Sequence, residues 1–158
     1  MITKGGFLTM GTKRVGWARI QALINENNNQ LQQRQFRYTT LSSDTTLTEE
    51  YSGMIIGVNG ASALEVTLPV INSRAGLNFR FVLTDNTAHV DILQGDADDE
   101  LVGSVMCLSN KDTGTSSDTK IRFASGTALA GDYIQVYSDG DDWLVGGQSA
   151  VNSGLIFA

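Results

Sequence analysis

The chain has 158 residues, enough for one domain of ordinary size with a short appendage. Only 18 % of the residues are charged, glycine is plentiful at 17 and proline occurs once, at Pro69, a mixture suited to many short strands joined by tight turns. The single cysteine, Cys107, excludes an intrachain disulfide and a cysteine-based zinc site, and the single histidine, His89, excludes a multi-histidine metal site.

The formal charge of −6 is unevenly distributed. Residues 1–38 carry six basic side chains against Glu26 alone, a net of +5, whereas the remainder carries five basic against sixteen acidic side chains, a net of −11. Such a split predicts different surroundings for the two parts. The opening MITKGGFLTMGTKR has no apolar core of the length a signal peptide needs, and no window reaches the length of a membrane span. Synthesis in a cytosol is expected, with no membrane partner.

In chain order, residues 1–14 read as an extended basic arm, and VGWARIQALINENNNQLQQRQ (15–35) is the helix candidate. There Trp17, Ile20, Ile24, Asn27, Leu31 and Arg34 recur at alternating spacings of three and four, a heptad seam with two polar positions. Two uses fit the pattern: contact between copies of the chain, or docking of a lone amphipathic helix on the β-domain. From Phe36 onward the period becomes two. FRYTTL, GMIIGV, ALEVTLP, LNFRFVLT, AHVDIL, ELVGSVMCL, KIRFA, YIQVYS, DWLVGG and GLIFA read as strands separated by Gly, Asn, Asp and Ser clusters. Asn59-Gly60 and Asp139-Gly140 read as hairpin turns, and KDTGTSSDT (111–119) as an exposed loop. No helical pattern interrupts the strands, which argues against βαβ units. The expected organisation is an N-terminal arm and helix over 1–36, followed over 37–158 by a mostly β domain: an antiparallel sandwich or jelly-roll-like barrel.

Catalytic signals are sparse. His89 has no G-x-S-x-G elbow with it, and neither G-x-G-x-x-G nor a P-loop occurs, so no enzymatic role and no cofactor are expected. Asp96, Asp98, Asp99 and Glu100 lack the spacing of an EF-hand loop; they read as a solvated turn, with a weak cation site as the rival. Trp143 reads as a core residue, with a carbohydrate-stacking ring as the rival. The β-domain has no basic patch interleaved with aromatics, which disfavours nucleic acid as a partner.

The order TLTEEYSGMIIGVNG, VTLP, AGLNFRFVL, VDILQGDADDELVGS and GDYIQVYSDGDDWLVGG resembles a β-module of virion proteins in tailed bacteriophages. The resemblance covers about two-thirds of the chain and leaves residues 1–36 outside it. It implies a structural particle component of sandwich or jelly-roll type, assembled as a homotrimer, and it supplies no catalytic residue. The expected function is a capsid decoration (head-surface) protein in the virion, assembled in the host cytoplasm. Its partners would be other copies of itself and the major capsid protein or another virion protein. The alternative is a tail-fibre or tail-tip subunit binding host-surface glycan. The expected partner contacts are Arg14, Trp17, Arg19, Ile20, Ile24 and Leu31, because tryptophan and arginine are the common anchors of interfaces.

Overall fold

A computed structural model describes residues 16–28, 37–72, 74–115 and 117–158. The chain divides into two units, Met1–Phe36 and Arg37–Ala158. Within the first, residues 16–28 form an α-helix, α1, inside the span that the 3.6-residue pattern predicts.

The second unit is mostly β, arranged as two mixed sheets. The seven-stranded sheet contains, in spatial order, β1 (Tyr38–Leu41), β3 (Ile55–Asn59), β5 (Asn78–Asp85), β10 (Tyr133–Ser138), β11 (Trp143–Ser149), β7 (Leu101–Cys107) and β8 (Asn110–Thr113). The five-stranded sheet contains β12 (Leu155–Phe157), β9 (Lys120–Phe123), β6 (Val90–Leu93), β4 (Leu64–Thr67) and β2 (Thr45–Thr46).

The expectation of purely antiparallel sheets is corrected. β1, β3 and β5 pair in parallel, as do β2, β4 and β6. The cause is the path of the chain. From β1 to β6 each strand lies in the sheet opposite its predecessor, so a strand returning to a sheet runs in the same direction as the one it joins. A parallel pair needs a long crossover, and here a strand of the other sheet supplies it in place of a helix. From β9 onward antiparallel pairs extend both sheets, β10 between β5 and β11 and β9 between β6 and β12, while β11 pairs in parallel with β7.

This winding also corrects one of the two expected hairpins. Asn59-Gly60 carries the chain from β3 in one sheet to β4 in the other. The Gly60 amide donates to the carbonyl of Asp85 (3.1 Å), and the Ala88 amide donates to the carbonyl of Gly60 (2.6 Å), stitching successive turns together. A Cβ on Gly60 would lie 2.5 Å from the Asp85 oxygen, so this approach of two backbones requires glycine. Asp139-Gly140 does close a hairpin: Ser138 pairs with Trp143 across it, and Gly140 adopts φ +113°. The predicted loop 111–119 begins as edge strand β8, which pairs with β7.

Alternating positions of both sheets meet in one core. Phe79, Phe81, Ile134, Val136 and Trp143 come from the seven-stranded sheet; Val66, Val90, Ile92, Ile121 and Phe123 come from the five-stranded sheet. Trp143 is fully buried, its ring centroid 5.7 Å from that of Phe79. Cys107 is the buried small residue its apolar context predicts, and its thiol donates to the Leu155 carbonyl at 3.4 Å, linking β7 to β12.

Candidate interaction surfaces

The predicted contact residues fall on α1 and its flanks. At about 100° per residue, Trp17, Ile20 and Ile24 lie along one stripe, and Leu23 widens it. These four side chains are between 46 % and 67 % exposed. Arg19 is also exposed, but it sits about 160° round the helix from Trp17 and does not join the stripe. Arg14 and Leu31 lie outside the described residues. The helix therefore brings together three of the expected contacts and adds Leu23. An apolar stripe of this width is what a helix presents to a groove or to another helix.

The other sequence candidates resolve as structure. His89 is exposed, and its Nδ1 accepts a hydrogen bond from the Ser125 amide at 2.9 Å, an anchor for the turn after β9. Burial of Trp143 removes the carbohydrate-stacking reading of that residue, since no ring face reaches solvent. Its Nε1–H is buried without a partner, at a cost of about 1–3 kcal/mol by the usual desolvation penalty.

The two acidic runs, 96–100 and 139–142, approach each other across a cavity of about 360 Å³ lined in part by Asp96, Asp98, Asp99, Asp141 and Asp142. One carboxylate in each run holds its own turn. Asp96 Oδ1 accepts from the Asp98 amide, and Asp139 Oδ1 accepts from the amides of Asp141 and Asp142, which holds the Asp139 carboxyl below its ordinary range. Asp99 is nearly buried and accepts from the Ile71 amide at 3.1 Å. Burial pushes its carboxyl above the ordinary range, and the neighbouring Asp96, Asp98 and Asp142 push in the same direction. Among the described residues no group of three His, Cys, Asp or Glu side chains is placed to hold a metal ion.

The outward faces of the two sheets differ in chemistry. On the five-stranded sheet, Glu65, Asp91 and Arg122 stand side by side across β4, β6 and β9. Arg122 grips Asp91 with two bonds, Nε to Oδ1 at 2.6 Å and Nη2 to Oδ2 at 2.7 Å, and Lys120 Nζ lies 3.0 Å from Oδ2. Burial raises the Asp91 carboxyl, but these two cations outweigh it and hold the group below its ordinary range. Asp91 in turn pushes Arg122 up.

On the seven-stranded sheet the register sets three rows on the outward side. Asn78, Tyr137, Leu144 and Val102 form one row across β5, β10, β11 and β7. Arg80, Gln135, Gly146 and Ser104 form the next, and Val82, Tyr133, Gln148 and Met106 the third. Arg80 lies 4.3 Å from the centroid of the Tyr133 ring, a cation–π contact between adjacent rows. Val102, Met106, Tyr137 and Leu144 are between 41 % and 54 % exposed. Residue reasoning singles out none of these, although the alternation in YIQVYS and WLVGG already assigns Tyr137 and Leu144 to an outward side.

The chain matches no protein-family model and no curated protein sequence. Among the described residues no helix is long and apolar enough to cross a membrane.

Proposed function

We propose that the protein is a non-enzymatic structural component of a tailed-phage particle: a capsid decoration protein that attaches through α1 and the basic segment around it. The exposed stripe of Trp17, Ile20, Leu23 and Ile24 carries this reading. An uncovered apolar stripe needs a partner, and the net +5 of residues 1–38 favours an acidic or mixed protein surface. The β-unit, read as a sandwich with its two sheets as the layers, is the displayed part, and its acidic surface keeps the loaded particle soluble. Assembly as a homotrimer belongs to the same proposal and follows from the phage resemblance; the partners are the major capsid protein or another virion protein.

The test is cosedimentation with purified heads that lack this protein. Trp17→Asp combined with Ile20→Asp should abolish binding while the β-unit keeps its thermal transition. Undiminished binding by that variant overturns the attachment reading.

A second reading is a tail-fibre or tail-tip subunit that binds host-surface glycan. It rests on an open cleft of about 840 Å³ lined by Arg37, Tyr38, Thr39, Glu50, Tyr51 and Met54, where the Tyr38 ring is exposed. An exposed aromatic ring beside charged hydrogen-bonding groups suits a sugar face. Glycan-array binding that is lost in Tyr38→Ala would favour this reading over the first.

A further inference from the structure

We infer that the outward face of the seven-stranded sheet is a contact surface for a second copy of this chain. The inference is independent of where on a particle the protein sits, and it concerns a surface remote in sequence from α1.

The first ground is exposure. Tyr137, Leu144 and Val102 stand side by side on three adjacent strands, and Met106 lies on the same side of β7, two rows away beside Gln148. Scattered exposed apolar side chains need no partner, but a contiguous row across adjacent strands marks an interaction site. The second ground is charge. Among sixteen acidic residues beyond residue 38, none occupies an outward position in the three rows spanning β5, β10, β11 and β7. Two copies of a unit with a net charge of −10 repel, so a face without carboxylates favours their close approach. The outward face of the five-stranded sheet carries carboxylates, the exposed Glu65 and the ion-paired Asp91.

The third ground decides for a copy over an unrelated partner. The polar groups of the face are Asn78, Gln135, Gln148, Ser104 and the two tyrosine hydroxyls. Each of these both donates and accepts hydrogen bonds, so a second identical face can satisfy them in a two-fold contact, separate from the threefold contacts of the proposed trimer. A face built to meet a different charged partner would present unpaired ions. The one cation in these rows, Arg80, is already held over Tyr133.

The experiment uses the full chain. Sedimentation velocity over a concentration series measures its mass, for the native chain and for Leu144→Glu and Val102→Glu, whose side chains are exposed and whose thermal transitions serve as the folding check. In parallel, the rate of thiol alkylation is followed in Leu144→Cys and in Glu65→Cys, one on each outward face; the native Cys107 is buried and serves as the background. Association at least tenfold weaker in the two glutamate variants is expected. Alkylation of Leu144→Cys should slow as concentration rises while that of Glu65→Cys does not. A native chain that stays at single-chain mass up to about 1 mM, where binding is worth only about 4 kcal/mol, overturns the inference, and the face would then belong to a different protein or a glycan. So does an oligomer whose mass and Leu144→Cys reactivity ignore the face, since α1 alone would then be joining the copies.

Discussion

The two sheets share one core and turn different chemistry outward. The five-stranded sheet carries a bidentate Arg122–Asp91 pair with Lys120 beside it. The seven-stranded sheet carries tyrosine, amide and aliphatic side chains with no carboxylate in its three central rows. An ion network that closes on itself leaves little for a partner to satisfy, and it strengthens the sheet beneath it. A neutral, partly apolar row contributes little to the fold of a single chain and much to an association. The difference teaches that burial fixes the inward pattern of both sheets while the outward pattern is free to record use.

Substitutions sharpen this contrast. The largest effect is expected beneath the seven-stranded sheet: Trp143→Ala should cost about 3–5 kcal/mol in chemical denaturation, because the fully buried indole fills the core against Phe79. Its chain neighbour Leu144 points the other way, so a large loss at Leu144→Ser in the dissociated chain would break the contrast. Next, Asp91→Ala should cost about 2–3 kcal/mol, since it leaves Arg122 and Lys120 without their shared carboxylate. The pH dependence has a definite sign. Asp91 is held below its unfolded value, so its contribution is fully present above about pH 4 and is lost as pH falls through the folded value. Acid titration followed by circular dichroism should therefore weaken the native chain and bring it towards Asp91→Ala.

Asp99 behaves in the opposite sense. Its carboxyl is raised by burial, so the folded state favours the protonated form, and the native chain gains stability as pH falls through the folded value. Asp99→Asn keeps an acceptor for the Ile71 amide and should stabilise the chain slightly at neutral pH, an advantage that vanishes in acid. The smallest effect is expected at Leu144→Ser, within about 0.5 kcal/mol for the dissociated chain. The same change should reduce association.

Much of the strand content was legible because period-two alternation survives in nearly every segment. YIQVYS is β10 residue for residue, and KIRFA and GLIFA contain β9 and β12. Alternation reports which side chains face inward, however, and says nothing about which strand lies alongside. The parallel pairing of β1, β3 and β5 was hidden for that reason, and Asn59-Gly60 looks the same whether the next strand stays in the sheet or leaves it. β8 escaped because Asn110–Thr113 is an exposed edge with polar side chains, which carries no apolar alternation. Of the expected contact set, Trp17, Ile20 and Ile24 share a stripe because heptad spacing and helical geometry state the same fact; Arg19 was chosen by residue type and lies off it. The row of Tyr137, Leu144 and Val102 could not be assembled from sequence, because it exists only once β7 is known to lie beside β11.

The alternating path of β1 to β6 also sets how the unit yields to force. β1 and β2 are the outermost strands of their sheets, and β3 and β4 become outermost once these are gone. Tension applied through residues 1–36 reaches β1 first, a strand of four residues paired on one side only. Strands would then peel in chain order, one from each sheet in turn, and no strand has to be drawn out from between two neighbours until β7, which lies between β11 and β8. A chain held by its N-terminal segment thus has a short, replaceable rung to lose before its aromatic core is opened.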